Sequence, residues 1–270
     1  MTITAATAPL LPARVRDTTD AALARVDAAL EGTGARLVGL YLHGSLCWGE
    51  FFAGSDVDFV GVLDRRADTD VIEALRHAHE AIAAEPARPT YDGFYVTEAD
   101  LARPPADLAD HPGVLAGTFA VGRTGDANLV TWHELAERGV TVRGRDAAEL
   151  DVWTSMPALQ AYSRANLESY WLGQVSGLET DKPVLASDSE WCVLGIARLH
   201  HVLQTGAITS KSGAGRWALE VVDERHHPVV HEALAHRESG ASDAAYDADP
   251  EVRRRAVVAV MREVLGEYGL

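Results

Sequence analysis

Residues 44–59 read GSLCWGEFFAGSDVDF, and they set two carboxylates, Asp56 and Asp58, on alternate positions of an apolar run that follows a Gly-Ser pair. On a strand, residues i and i+2 face the same way, so Asp56 and Asp58 are expected side by side while Val57 and Phe59 turn into the core. Asp is a poor strand former, and two carboxylates this close repel each other. A divalent cation relieves that repulsion. Mg²⁺ in particular is held by one or two carboxylates completed by phosphate oxygens and water. Gly44 and Ser45 end the preceding strand, where a short helical turn would aim backbone N–H groups outward and glycine would let a phosphate come close. Taken singly, a Gly-Ser turn or an Asp-x-Asp is more often plain turn chemistry or an N-cap. Taken together at this spacing, they describe a triphosphate held at one end and metal-clamped at the other, as phosphoryl or nucleotidyl transfer requires.

The flanking sequence places that stretch on a sheet. RLVGLYLHG (36–44) and DVDFVGVLD (56–64) are short, rich in Val, Leu and aromatics and bounded by turn residues, which predicts two strands. A helix with apolar residues at Ala22, Leu23, Val26, Ala29 and Leu30 precedes them, and a second amphipathic helix, expected to stop at Pro86, follows. TYDGFYVT predicts a third strand over about 90–97, with Asp92 near its start. Residues 101–128, rich in Pro, Gly and Asp, read as a loop. NLVTWHELAERGVTVRGRD then gives a short helix, a glycine stop and a small strand. Beyond a boundary placed near 150, every apolar segment has helical spacing, with Pro or Gly between segments. Two domains are expected, 1–150 carrying the sheet and 151–270 all helical.

Composition narrows the function classes. The 270 residues are 47% apolar, ample for packed cores, and carry a formal charge of −16 with a pI near 5.0. That field repels a nucleic-acid backbone, and the lone RRR at 253–255 does not offset it, so no nucleic-acid partner is expected; cationic small molecules are favoured instead. No window approaches 18 apolar residues and the first 17 residues lack an apolar leader, so a cytoplasmic protein without membrane contact is expected. Cys47 and Cys192 are too far apart in type and spacing for a disulfide framework or thiolate metal site. His227 and His231 have i, i+4 spacing, but Pro228 stands between them and no third ligand is near.

The motifs together resemble a known family. Gly44-Ser45 followed by Ser55-Asp56-Val57-Asp58 is similar to the signature of the nucleotidyltransferase superfamily, and most similar to the O-adenylyltransferases that act on streptomycin and spectinomycin. WCVLGIARLHHVLQTGAITSKSGAGRWALE (191–220) resembles the helical-domain motif of the same family. The resemblance implies an α+β fold: an N-terminal mixed sheet with helices, followed by an all-helical C-terminal domain. It implies ATP and Mg²⁺ held through Gly44, Ser45, Asp56 and Asp58, attack of an acceptor hydroxyl on the α-phosphate and release of pyrophosphate. It assigns Asp92 as general base, where antibiotic-modifying members usually have the longer Glu, and it assigns Arg198 and Lys211 to the nucleotide phosphates.

From the residues alone, Arg198 in an apolar helix reads first as an internal salt bridge, and Lys211 as a solvated lysine. Asp188 matches a family carboxylate that binds the cationic drug, while Ser187-x-x-Glu190 also reads as a capping box. Streptomycin-binding members carry a Trp and an Asp just ahead of this carboxylate; LETDKPVLAS (178–187) has no Trp, which leaves spectinomycin or an unrelated acceptor open. A protein or metabolite hydroxyl as acceptor, or a non-catalytic nucleotide-binding module, are the alternatives within the same fold.

Overall fold

The β2 strand, Val57–Leu63, lies inside a sheet ordered β5-β4-β3-β2-β1-β6. The other strands are β1 (Leu37–Leu42), β3 (Tyr91–Thr97), β4 (His111–Leu115), β5 (Thr118–Gly122) and β6 (Val140–Arg143). The computed structural model describes residues 11–85, 89–122, 126–178 and 183–270. Its contacts divide the chain into two units, Met1–Phe51 with Ser55–Thr154, and Phe52–Gly54 with Ser155–Leu270.

In the first unit β2 and β3 run parallel and the remaining pairs antiparallel, so the sheet is mixed. A parallel pair needs a crossover, and α2 (Thr69–Ala83) supplies it, started by the Asp68 carboxylate accepting the Val71 N–H. The period-2 alternation of β2 and β3 then feeds two cores. Val57, Phe59, Leu63, Tyr91 and Tyr95 pack against α1 (Ala13–Leu30) and α2. Val60, Val62, Phe94 and Val96 pack on the opposite face with Trp132 and Leu135 of α4 (Leu129–Arg138) and with Leu101 at the end of α3 (Glu98–Leu101). Asp58 and Asp92 share the parity of the second set. They therefore face the α4 side, at the ends of β2 and β3 where the apolar set begins.

Two expectations change. Residues 101–128 are not a plain loop: β4 and β5 form a hairpin with Leu115 paired to Thr118 across Ala116-Gly117. Pro112 disguised the first of these strands, since proline lacks the N–H a ladder uses. It falls outside the Gly113–Val114 stretch that pairs with β3, so its missing donor costs no rung there. Pro86, read as the stop of the second helix, lies outside the described residues, as do the first ten residues; α2 ends at Ala83.

The second unit is helical: α5 (Met156–Asn166), α6 (Leu172–Leu178), α7 (Ala186–Ser189), α8 (Gly195–Thr205), α9 (Lys211–Val221), α10 (His227–Ser239), α11 (Ala244–Ala248) and α12 (Pro250–Glu267). π-helical turns at Leu167–Trp171 and Glu190–Leu194 join α5 to α6 and α7 to α8. They meet where Gly195 admits the Trp171 ring: a Cβ on Gly195 would lie 2.4 Å from the indole Cη2. Cys47 and Cys192 are buried free thiols, and burial pushes Cys192 up to about 12.

Beside this core lies a buried ion pair. Arg253 Nη2 donates to Glu232 Oε1 at 2.7 Å, and the side chains are 2% and 0% exposed. Arg253 also donates to the Val184 carbonyl and to Asp247, while Glu232 accepts the Ser189 hydroxyl. The network ties α10 and α12 to the segment that starts α7. Replacing Arg253 with Ala leaves an uncompensated carboxylate in the interior, and urea unfolding is expected to show a loss of about 3–5 kcal/mol. The Arg253→Met/Glu232→Leu pair, which removes both charges, is expected to lose much less.

Candidate active site

Asp58 pairs in register with Asp92 on the parallel neighbour, and Asp56 stands exposed one residue before β2 begins. Burial drives the Asp58 carboxyl up to about 7; Asp56, Asp126 and Glu134 push it the same way and His43 opposes them. Asp126, just ahead of α4, is itself raised by burial first and then by Asp92 and Asp56. Five carboxylates, Asp56, Asp58, Asp92, Asp126 and Glu134, and the His43 imidazole thus converge on the end of β1 and the starts of β2 and β3. An acid held protonated towards neutrality by burial first and by neighbouring carboxylates next is a site that a cation relieves. The donors are hard oxygens. Among the described residues no three His, Cys, Asp or Glu side chains form a closed metal cage. A pair of carboxylates with other positions open to phosphate and water is the arrangement Mg²⁺ uses, so the residues fit that ion.

The turn after β1 differs in detail from the sequence expectation. Gly44–Trp48 is a short 3₁₀ helix, and Gly44 has φ +60°. The Gly44 N–H does not point out for a phosphate; it donates inward to Glu134 Oε2 at 3.1 Å. Glycine is needed for another reason. A Cβ here would lie 1.9 Å from Asp58 Oδ2, so the missing side chain is what lets the Asp58 carboxylate lie against the turn. Ser45 Oγ is buried and has no hydrogen-bond partner among the described residues. His43, 4% exposed, also leaves both ring nitrogens without a hydrogen bond; Nδ1 is 3.6 Å from Glu134 Oε2, an ion-pair distance. Burial alone would lower this imidazole, but Glu134, Asp58 and Asp126 raise it on balance.

Asp92 is 4% exposed, and both its oxygens are held by the β4–β5 hairpin: Oδ2 accepts from Ala116 N at 2.8 Å and Oδ1 from Gly117 N at 3.0 Å. The two turn residues have φ +49° and +72°, the signs a type I′ hairpin requires. Ala116 bears a Cβ in the left-handed region and is strained there, which costs about 1–2 kcal/mol. Burial nonetheless raises the Asp92 carboxyl overall, with Asp56 adding to the rise and the two N–H donors opposing it. The result is a carboxylate fixed in direction, with one further lone pair on each oxygen, and more basic than a surface aspartate.

The second unit gathers the remaining sequence candidates around α7–α9. Lys211, first residue of α9, holds its Nζ 5.0 Å above the ring centroid of Trp191, which is 48% exposed. Arg198, two turns along from Trp191, donates from Nε to the Thr209 carbonyl at 3.3 Å, just ahead of Lys211. Asp188 is half-buried and its Oδ2 accepts the Leu185 N–H at 2.8 Å. The capping box is therefore shifted from the one read in the sequence. Leu185 is the N-cap and Asp188 stands at the third helical position, so its carboxylate, and not that of Glu190, reaches back. Glu190 instead meets His236 and Arg237.

Against known proteins, residues 164–262 match the family model described as the aminoglycoside adenylyltransferase C-terminal domain. Over that stretch the chain is similar to the helical C-terminal domain of aminoglycoside adenylyltransferases. The match over this domain supports a nucleotidyltransferase. The family's matched region contains Asp188, Arg198 and Lys211. In fold the chain is similar to the crystal structure of spectinomycin adenyltransferase AAD(9) from Enterococcus faecialis, solved with ATP and spectinomycin, at a TM-score of 0.65 and 13% identity over 91% of this chain and 98% of that one. No curated protein matches it at the level of sequence. Three residues that gather around Asp58 were not among the sequence candidates: His43, Asp126 and Glu134. Asp126 read as turn chemistry before a helix and Glu134 as an ordinary helical acid; only long-range placement sets them apart.

The displaced Asp58 pKa has a stability consequence. The unfolded chain loses this proton near 3.8 whereas the folded metal-free protein keeps it to about 7, so Asp58 destabilises the fold increasingly as pH rises between those values and by a constant amount above. Asp58→Asn carries no such penalty. Thermal melts in EDTA are expected to show the variant gaining on the wild type from pH 4 to pH 7, with the difference level beyond.

Proposed function

We propose that the chain transfers AMP from ATP to a hydroxyl of an aminocyclitol or aminoglycoside antibiotic, spectinomycin or streptomycin, with release of pyrophosphate in the cytoplasm. The observation that carries this reading is the in-register Asp58–Asp92 pair beside Asp56, two carboxylates suited to a cation and a third suited to a proton. Asp56 and Asp58 would hold Mg²⁺, which when bound neutralises triphosphate charge and assists departure of pyrophosphate. Ser45, with its unpartnered hydroxyl, and the Gly44 turn would take up the phosphate chain.

Asp92 is the base in this proposal. It would accept the proton of the acceptor hydroxyl as the oxygen forms its bond to the α-phosphorus and the bond to the bridging oxygen of pyrophosphate breaks. The hairpin N–H groups keep both Asp92 oxygens in a fixed direction, and the burial that raises its carboxyl brings it nearer the operating pH, where a general base works best. The shorter Asp in place of Glu is compensated by rigidity: its position is set by the backbone of the Ala116-Gly117 turn.

In the helical unit, Arg198 and Lys211 would meet the triphosphate, as a guanidinium and an ammonium suit. Asp188 keeps one oxygen beyond its capping bond, and this would receive an ammonium group of the drug. The net charge of −16 favours approach of such a cation.

The test is pyrophosphate release by purified protein with ATP, Mg²⁺ and each drug, with the AMP ester identified by mass. Asp58→Asn is expected to lower kcat by about 10²–10³-fold or more, the scale of losing one group that stabilises transition-state charge. Asp92→Asn is expected to cost about 10²–10⁴-fold, as for loss of a general base, with little change in nucleotide affinity. Nucleotide binding without turnover against a broad drug panel would overturn the antibiotic assignment and leave the fold family standing.

A further inference from the structure

Glu134 is a buried acid, 3% exposed, for which the transfer reaction has no evident chemical use. An ionised carboxylate is expensive to bury without hydrogen bonds, and its bonds show what it does. Its two oxygens serve two donors. Oε2 accepts the Gly44 N–H at 3.1 Å, and Oε1 accepts the Trp48 indole N–H at 3.1 Å. Gly44 and Trp48 are the first and last residues of the 3₁₀ turn. One helical turn along α4, the Arg138 guanidinium lies 4.0 Å from the Trp48 ring centroid. The α4 helix thus holds the turn at both ends, and holds Trp48 by its edge and by its face.

A 3₁₀ turn of five residues has few internal bonds, and His43 gives it no side-chain cap, so external contacts fix its place. That place is critical, because the Asp58 carboxylate lies where a Gly44 side chain would be. We propose that Glu134 is a positioning residue for nucleotide binding, a buried two-point acceptor that sets the Gly44–Ser45 turn against Asp58 before the nucleotide arrives. This rests on the nucleotide reading given above. It reassigns the Gly44 N–H from phosphate reader to anchor, and leaves phosphate recognition to Ser45 and the groups that follow. Preorganisation of this kind lowers the ordering cost of binding.

Two full-length variants test it. In Glu134→Gln the side chain keeps its shape but has one acceptor oxygen, which can serve Gly44 or Trp48 and not both. In Trp48→Phe the glutamate stays and the far donor is removed, so this variant carries the test should the first fold poorly. Amide hydrogen exchange at Gly44 and calorimetric binding of Mg²⁺–ATP are measured beside kcat and KM. In both variants, exchange at Gly44 is expected to quicken and Kd and KM for Mg²⁺–ATP to rise by about ten-fold, the effect of one buried hydrogen bond, with a smaller change in kcat. A purely structural Glu134 would lower the melting temperature and the active fraction while leaving KM for ATP unchanged, and that result overturns the proposal. Unaltered Gly44 exchange in Glu134→Gln overturns it as well. Wild-type protein that fails to bind Mg²⁺–ATP would sink the nucleotide reading and the proposal together, whereas normal wild-type binding with indifferent variants sinks the positioning role alone.

Discussion

Mutual repulsion among carboxylates at the starts of β2 and β3 is the constraint around which the first unit is arranged. Asp58 is driven up to about 7, first by burial and then by Asp56, Asp126 and Glu134. A fold tolerates such crowding only if something offsets it. His43 does so in part, from inside the protein, and a cation can do so from the solvent side. The tension is therefore a stored preference for a positively charged ligand and the phosphates it brings.

The surrounding elements answer to that constraint one by one. Glycine at 44 is required by the bulk of the Asp58 carboxylate, and α4 sends a buried glutamate to hold the turn that carries it. The β4–β5 hairpin accepts a left-handed alanine and places two N–H groups on Asp92. Local strain is thereby exchanged for a fixed direction of the Asp92 carboxylate, a pattern common at functional sites. In the second unit the Arg253–Glu232 pair anchors Val184 and Ser189, which bracket the start of α7 where Asp188 sits.

Sequence periodicity captured what is local. The strands containing DVDF and YDGF, the helices between them and the helical second half follow from apolar spacing and turn residues, because those signals act over a few residues. The hairpin at 111–122 escaped, since Pro112 argued against a strand and Ala116 is not the residue a left-handed turn normally shows. His43, Asp126 and Glu134 escaped for a different reason. Each looks ordinary in its own segment, and it takes the sheet order to bring β1, β2, β3 and α4 together. The bond of the Gly44 N–H was likewise beyond reach, because a turn followed by a strand leaves its donor either outward or inward, and only a partner 90 residues away decides.

The parallel β2–β3 pairing has a further consequence, for assembly. Parallel neighbours cannot be joined by a tight turn, so Asp56 and Asp58 are separated from Asp92 by the whole α2 crossover. A nascent or truncated chain ending ahead of Tyr91 would display Asp56 and Asp58 with β1 already beside β2 but without Asp92 or the strand that carries it. The carboxylate cluster is then assembled late and all at once, when the crossover closes, rather than gradually along the growing polypeptide.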